Sequence, residues 1–207
     1  MGITEKGNPR KPTGKFGELM LDGMNEHHGP LTEWGLSFLQ NRVFSALLDI
    51  GCGGGATLKR LAMLAPDSLV TGLDYSETSV QKSKDYNADL IREGRVKVIQ
   101  GSVSSMPFEA DSFDGITTVE SFYFWPDPQN DLKEVLRILR PGSSFLLMAD
   151  IYGGYDFNEE TLTNIRQFDL FNPTPDEFRK LFLNAGFAKV NIHLKDGTSW
   201  ICAEGVK

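Results

Sequence analysis

A glycine turn that follows a short apolar run carries the clearest chemical signal in the sequence. Segment 47–56 reads LLDIGCGGGA, so an apolar run passes through glycines into a helical pattern. Gly51 and Gly53 let the backbone turn tightly and approach a ligand with no Cβ in the way. The helix that follows offers free N–H groups and a partial positive charge to an anionic group. The turn therefore predicts a ligand site, and its glycine spacing also fits a dinucleotide.

Two carboxylates restrict the choice of ligand. Asp74 ends the next predicted strand and follows Gly51 at close to the ~20-residue spacing of a carboxylate that binds a ribose diol. Asp49 lies just before Gly51, where a carboxylate repels a pyrophosphate and attracts a cation. S-adenosylmethionine combines a ribose, a cationic amine, a sulfonium and a carboxylate. Asp49 therefore favours this ligand over a nicotinamide dinucleotide. The alternative interpretation of Asp49 is a solvated strand-end carboxylate or a helix cap that binds no ligand.

Alternating strand-like and helix-like segments position the turn. They predict a Rossmann-like, doubly wound α/β fold with a seven-stranded, mostly parallel sheet. Asp196 and Gly197 separate the last two strand-like runs, which predicts an antiparallel C-terminal hairpin. The predicted strands are 45–50, 68–73, 95–100, 113–119, 143–149, 187–194 and 198–203, and the predicted helices are 56–65, 76–94, 132–139, 159–168 and 175–186.

We divide the chain into an N-terminal part, residues 1–44, and a larger domain, residues 45–207. Residues 1–15 are polar and rich in Gly, Pro and Lys, which predicts a loose arm, and two short helices are expected before residue 41. Residues 151–172 interrupt the strand–helix alternation with an aromatic, acidic stretch. Its position after the fifth predicted strand indicates a lid-like insertion.

Four motifs follow one another at suitable spacing. They are LDIGCGGG at 48–55, GLDYS at 72–76, MPF at 106–108 with SFD at 112–114, and LRILRPG at 136–142. Together they resemble the motifs of class I S-adenosylmethionine-dependent methyltransferases, above all the small-molecule group called type 11, which includes quinone-biosynthesis enzymes. The resemblance covers residues 47–145. It implies in-line displacement of a methyl group from S-adenosylmethionine to a small-molecule acceptor, with S-adenosylhomocysteine as the second product.

The resemblance also implies donor-binding roles for residues at the strand ends. Asp49 and the backbone of the glycine turn would hold the methionine end, and Asp74 would bind the ribose hydroxyls. Ser102 stands where relatives commonly have an Asp that accepts from the adenine amino group, and a serine accepts as a neutral group. Helices before the first strand often cover the cofactor in this fold, which brings in Asn25. The implied set is Asn25, Asp49, Gly51, Cys52, Gly53, Asp74, Tyr75, Gly101, Ser102, Val103 and Glu120.

Aromatic residues supply the candidates for the acceptor site. The run SFYFWPD at 121–127 either walls a pocket, with Trp125 against the acceptor, or packs the following helix on the sheet. Tyr152 and Tyr155 form an aromatic rim on the predicted lid, or are loop structure only. A hydroxyl or carbon acceptor would need a general base, for which His28 and Tyr123 are the candidates.

Composition and the spacing of residues also bear on metal binding, on partners and on cellular location. His27 and His28 predict no metal site, because adjacent imidazoles on a helix diverge by about 100° and no carboxylates complete a ligand set. The chain has 207 residues and a net charge of −7 without a Lys/Arg footprint, which argues against nucleic acid as a partner. No apolar run approaches ~18 residues, so no membrane span is expected. We expect a cytoplasmic protein, because two cysteines form no disulfide framework and the first residues lack the apolar core of a signal peptide. We also expect a monomer or a homodimer.

Two alternative functions remain at this stage. An NAD(P)-dependent oxidoreductase uses the same kind of glycine turn, although Asp49 and the terminal hairpin argue against it. A methyltransferase-like module that binds the cofactor without turnover has the same fold, although the intact glycine motif argues for catalysis.

Overall fold

The structure is a computed structural model that describes residues 8–207. The strands in that range are β1 (Ala46–Ile50), β2 (Leu69–Asp74), β3 (Val96–Gln100), β4 (Phe113–Val119), β5 (Leu139–Ala149), β6 (Lys189–Leu194) and β7 (Ile201–Val206). They form one sheet in the order β3-β2-β1-β4-β5-β7-β6. Strands β1 to β5 are parallel, and β7 is antiparallel to both β5 and β6. The strand order reverses between β1 and β4, which is where open α/β sheets bind their ligands.

Helices cover both faces of the sheet. They are α1 (Gly14–His27), α2 (Gly29–Leu36), α3 (Ala56–Leu64), α4 (Glu77–Tyr86), α5 (Ala88–Arg92), α6 (Pro128–Ile138), α7 (Glu159–Phe168) and α8 (Pro175–Ala185). Leu47 packs with α2, α3 and α4 on one face, whereas Leu48 packs with α6 and α8 on the other. Both leucines are fully buried because successive strand residues point to opposite faces of a sheet that is covered twice.

The predicted fold is confirmed, while the bounds of several elements differ from the predicted ones. The helix predicted over 76–94 is two helices, α4 and α5, that meet at Asn87. The Asn87 amide Nδ2 donates to the carbonyls of Ser83 and Gly55, each at 2.9 Å, and so joins the break to the glycine turn. A side chain that bonds the backbone in this way competes with continued helix.

Two further corrections concern β5 and the C-terminal hairpin. Strand β5 begins at Leu139 rather than at residue 143, because its register with β4 shifts near Phe113 and the irregularity accommodates Pro141 and Gly142. Strand β7 begins at Ile201, three residues later than predicted. The turn at Gly197 is closed by bonds at both ends of a longer connection, from Lys195 N to Trp200 O and from Thr198 N to Lys195 O.

The N-terminal part is more ordered than its composition predicts. Both expected helices are present as α1 and α2. Of the predicted loose arm, residues 1–7 lie outside the described residues, and residues 14 and 15 begin α1. Residues 8–13 pack on the end of β2, where the Ser76 hydroxyl donates to the carbonyl of Pro12 at 2.7 Å. We call residues 8–13 the strap.

Candidate functional site

A cavity of about 300 Å³ opens at the carboxyl ends of β1, β2, β3 and β4. Its floor is the glycine turn, its sides are the residues that follow these strands, and its cover comes from α1, the start of α2 and the strap. The cavity therefore lies at the switch point of the sheet, where this topology places ligands.

The glycine turn has a conformation that side chains would obstruct. Gly51 and Gly53 have φ values of +72° and +52°, in the region that favours glycine. A Cβ on Gly51 would lie 2.3 Å from the Oγ atom of Ser121, which is closer than real contacts allow. The N–H groups of Gly51 and Cys52 both donate to the Leu73 carbonyl, which fixes the turn against β2. Glycine at 51 is thus required for the turn to approach the cavity.

Asp74 joins the end of β2 to the glycine turn. Its Oδ2 atom accepts from the N–H of Gly53 and its Oδ1 atom from the N–H of Ser76, both at 2.9 Å. Burial raises the pKa of Asp74, while these hydrogen bonds lower it. The carboxyl lines the cavity, and its oxygens retain lone pairs for further donors such as two ribose hydroxyls.

Asp49 lies beneath the turn and does not line the cavity. It is 1% exposed, and its Oδ1 atom accepts from the hydroxyl of Thr117 on β4 at 2.7 Å. Burial raises the pKa of Asp49 from 3.8 to about 7, the Thr117 hydrogen bond lowers it, and the charge of Asp74 raises it further. Asp49 can therefore act on a ligand through its charge rather than by contact.

Helix α1 is bonded to the glycine turn through Asn25. The side-chain Nδ2 of Asn25 donates to the carbonyl of Gly54 at 3.1 Å, and its Oδ1 accepts from the N–H of Ala56 at 3.4 Å. Asn25 lines the cavity together with Cys52, and burial raises the pKa of the Cys52 thiol well above its ordinary value. Asn25 thus contacts the turn itself, as well as the space in which a ligand would lie.

The strap and the ends of β2 and β3 form a second part of the wall. Tyr75, Gly101, Ser102 and Val103 all line the cavity, as the motif analysis predicts for an adenine pocket. The hydroxyl of Tyr75 donates to the carbonyl of Arg10.

Arg10 belongs to a part of the site that sequence reasoning missed. Its guanidinium carbon lies 5.4 Å from the ring centroid of Phe124, so the strap spans the cavity between Tyr75 and Phe124. Pro9 and Pro12 also line the cavity. A polar segment without apolar periodicity gives no signal for such a role, because its position depends on contacts with residues far along the chain.

The aromatic run after β4 divides between the cavity and the core. Phe124 and Trp125 line the cavity, and the indole N–H of Trp125 donates to the hydroxyl of Ser121 at 3.3 Å. Phe122 and Tyr123 are buried beneath the cavity and pack in the core. All four rings thus take part in core packing, and Phe124 and Trp125 also border the cavity.

Glu120 gathers polar groups at the edge of the cavity. Its Oε1 atom accepts from the hydroxyl of Tyr123 at 2.9 Å and from the N–H of Asp150, and its Oε2 atom lies 4.0 Å from Nε2 of His28. Burial and the Asp150 charge raise the pKa of Glu120 well above its ordinary value. Burial lowers the pKa of His28 to about 4, against the opposing effect of Asp150.

Of the two predicted bases, the structure brings only His28 to the cavity. Tyr123 does not line it, and its hydroxyl donates to Glu120. Burial and the charges of Glu120 and Asp150 raise the pKa of Tyr123 well above its ordinary value, which is the wrong direction for a base. Tyr123 is placed to orient Glu120 instead.

The structure does not bring the two predicted lid tyrosines to the cavity. Tyr152 packs edge-on against Tyr155, with ring centroids 5.6 Å apart, and Tyr155 packs against Phe157. The intervening turn is held by a hydrogen bond from the N–H of Gly153 to the carbonyl of Pro173 at 2.9 Å. Helix α7 follows with no buried residue.

Residues 8–207 contain neither a metal-binding cluster nor a membrane-spanning helix. No group of three or more His, Cys, Asp or Glu side chains is arranged to hold a metal ion there. None of the helices in this range combines the length and the apolar character that crossing a membrane requires.

Comparison with known proteins agrees with the fold. A family model described as "Methyltransferase domain" matches residues 48–147. Cycloartenol-C-24-methyltransferase 1 of Oryza sativa subsp. japonica is 32% identical over 132 residues, covering 63% of this chain and 38% of that protein. The 27-O-demethylrifamycin SV methyltransferase of Amycolatopsis mediterranei is 33% identical over 150 residues, covering 64% and 54%.

A solved structure shares the whole architecture. Human N-acetylserotonin methyltransferase in complex with S-adenosylmethionine superposes with a TM-score of 0.75 at 18% identity, covering 92% of this chain and 55% of that one. The chain spans 38% and 54% of the lengths of the two curated relatives, which is about half or less. Fold, motifs and relatives together identify residues 48–147 as a methyltransferase domain of the class I S-adenosylmethionine-dependent type.

Proposed function

We propose that the chain transfers the methyl group of S-adenosylmethionine to a small-molecule acceptor by in-line displacement. The observation that carries this proposal is the meeting, in one cavity, of the glycine turn, the Asp74 carboxyl and the N-terminus of α3. The two curated relatives are named for methylation of small organic molecules, which supports an acceptor of that class. A location in the cytoplasm is part of the proposal, because Cys52 and Cys202 are both free and buried. A monomeric or homodimeric state is part of it as well.

The cavity has matching groups for each part of the donor. Asp74 would accept from the two ribose hydroxyls, and Tyr75 and Val103 would flank the adenine. At the other end, the N-terminus of α3 would bind the methionine carboxylate. Arg60, which lies one turn into α3 and lines the cavity, would add a second positive charge for that carboxylate.

The residues of the chain would contribute mainly position and water exclusion. When bound, S-adenosylmethionine supplies an electrophilic methyl group on a sulfonium. Asn25 and the strap would close the cavity over it, while Asp49 would stabilise its positive charge from beneath the turn. Holding two reactants in line contributes roughly 7–11 kcal/mol to a barrier reduction.

Donor binding is the direct test of this proposal. In calorimetry we expect S-adenosylmethionine and S-adenosylhomocysteine to bind and NAD⁺ to give no heat above dilution. Asp74→Asn should weaken donor binding about tenfold or more, because it replaces a diol acceptor with a donor group and loses a charge-assisted hydrogen bond. Glu77→Gln is the matched control, since Glu77 is an exposed carboxylate three residues away.

Three outcomes would contradict the proposal at different points. Tighter binding of NAD⁺ would support an oxidoreductase. Equal donor affinity of the Asp74→Asn variant and the wild type would remove Asp74 from the ribose site. Donor binding without methyl transfer, across a panel of phenols, amines, thiols and carboxylic acids, would identify a cofactor-binding module without turnover.

A further inference from the structure

The backbone of Glu120 is unusual for its residue type. It has a φ of +54°, in the left-handed region, where a non-glycine residue costs about 1–3 kcal/mol. The other non-glycine residues with positive φ in the described range are Asn41, Asp111 and Asp169, all of types that tolerate this region. Glutamate has no such tolerance, so the strain at Glu120 indicates a use for its carboxyl group.

Within residues 8–207, the hydrogen bonds to the carboxyl group of Glu120 fall on one oxygen atom, Oε1. Its Oε1 atom takes hydrogen bonds from the Tyr123 hydroxyl and from the N–H of Asp150, and the N–H of Ile151 in turn donates to the Tyr123 oxygen. The Oε2 atom faces His28 across the cavity edge, and the two side chains are only 10% and 22% exposed. Positive φ and the two bonds together direct Oε2 toward the cavity.

The distance between the two side chains leaves room for one polar atom. Oε2 of Glu120 and Nε2 of His28 are 4.0 Å apart, too far for a hydrogen bond to each other. An oxygen atom placed between them can lie within hydrogen-bond distance of both. The remaining titratable groups that face this pair are Tyr123, Asp150 and His27, and the two carboxyl groups disfavour an acceptor that arrives as an anion.

We propose that His28 accepts the proton of a hydroxyl group bound against Glu120, so that the methyl acceptor is an alcohol or a phenol. The inference rests on the proposed function and names its acceptor class. A hydroxyl or carbon acceptor needs a proton acceptor, whereas a thiolate or a neutral amine attacks without one. The 4.0 Å gap between two hydrogen-bonding atoms favours the hydroxyl oxygen over a carbon atom. Glu120 is the positioning residue: its Oε2 atom shares the single hydroxyl proton with Nε2 of His28 before transfer, and afterwards it faces the imidazolium that forms.

The proposed step balances as follows. The O–H bond of the acceptor breaks as its proton passes to Nε2 of His28. The oxygen lone pair forms the new C–O bond to the methyl carbon while the C–S bond breaks and its electron pair stays on sulfur. The products are a methyl ether, S-adenosylhomocysteine and a proton on His28, which leaves to solvent. Burial lowers the pKa of His28 to about 4, so its imidazole is unprotonated at neutral pH and can accept a hydrogen bond from the hydroxyl group.

Matched acceptors test the acceptor class. Wild-type protein with tritiated S-adenosylmethionine is given phenol, thiophenol or aniline, which differ only in the nucleophilic atom. We expect methylation of phenol, with kcat lowered about 100-fold or more in His28→Gln and Glu120→Gln. Donor affinity should stay within threefold, and any transfer to thiophenol should persist in both variants, which shows that they are folded. His27→Gln is the matched control, because His27 is the exposed neighbour of His28.

A second readout does not depend on turnover. In crystals of the S-adenosylhomocysteine complex soaked with phenol, we expect the phenol oxygen within hydrogen-bond distance of both His28 and Glu120. Phenol bound elsewhere, transfer to aniline or thiophenol but not to phenol, or full phenol activity in Glu120→Gln would each overturn the inference. All three leave donor binding intact, whereas failure of the proposed function would appear as loss of donor binding in the wild type.

Discussion

Replacing Gly51 by alanine is expected to destabilise the protein and to weaken donor binding by about 100-fold or more. Positive φ at this position costs an alanine about 1–2 kcal/mol. The new Cβ would also meet the side chain of Ser121 at 2.3–2.5 Å, which adds about 1–3 kcal/mol of overpacking. Relief of that contact must displace the turn that forms the cavity floor, so the affinity for the donor falls with the stability.

The variant Gly94→Ala separates the backbone cost of an alanine at positive φ from the cost of the contact with Ser121. Gly94 has nearly the same φ, +74°, but an added Cβ there would meet nothing within 4 Å. Both variants therefore carry the backbone cost, and only Gly51→Ala carries the contact with Ser121. Thermal unfolding should show a larger fall in Tm for Gly51→Ala, at ~2–4 °C per kcal/mol for a chain of this size.

A double variant identifies the contact itself. Ser121→Gly removes the atoms that the new Cβ would meet, so Gly51→Ala combined with Ser121→Gly should be less destabilised than the sum of the two single variants. Equal loss of stability in Gly51→Ala and Gly94→Ala, or strict additivity in the double variant, would show that the approach to Ser121 does not constrain position 51.

The parts of the site that could be predicted from sequence are those encoded by short segments. The glycine turn and Asp74 belong to local patterns, strand to turn to helix and strand to acidic turn, whose geometry depends on neighbouring residues. The structure places Gly51, Gly53 and Asp74 together in the cavity. Their mutual position follows from parallel strands that end at one edge of the sheet, so the fold class was sufficient to predict it.

The parts that could not be predicted depend on contacts between distant residues. Arg10 reaches the cavity only because Tyr75 and Ser76 hold the strap, and its own segment has no periodicity. His28 and Glu120 approach each other although they lie 92 positions apart in the sequence. Their approach also depends on the positive φ of Glu120, a backbone conformation that glutamate rarely adopts. Tyr152 belongs to a segment with the composition of a lid, but it does not line the cavity, and the position of the next residue depends on a bond to the distant Pro173.

Asp49 shows a third situation, in which the residue lies at the predicted strand end but its environment differs from the predicted one. An acidic residue at the end of β1 was expected to contact the ligand, whereas the carboxyl is buried against Thr117. The sequence pattern specifies the charge, while the packing of β4 on β1 determines whether that charge meets the ligand directly. A buried carboxyl with a pKa near 7 also lowers stability, which gives Asp49 two measurable effects of opposite sign.

Asp49→Asn is therefore expected to weaken donor binding and to stabilise the free protein. The pKa of Asp49 is raised from 3.8 to about 7, so the folded state binds a proton more tightly than the unfolded state. Stability then falls as pH rises from about 4 to 7, and above pH 7 the ionised carboxyl costs about 2–4 kcal/mol. Asparagine keeps an oxygen for the Thr117 hydroxyl and has no charge, so the variant should melt higher than the wild type at pH 8 and little differently at pH 4.

Donor affinity should change in the opposite direction. Ionised Asp49 attracts the sulfonium, so the affinity of the wild type for S-adenosylmethionine should rise between pH 6 and 8, and Asp49→Asn should bind about tenfold more weakly at pH 8 without that rise. S-adenosylhomocysteine carries the same amino group but no sulfonium, and its titration separates the effect of Asp49 from that of the ligand's own amine. Equal affinities of the variant and the wild type at pH 8, or equal weakening for both ligands, would show that Asp49 does not act on the sulfonium and has only a structural role beneath the turn.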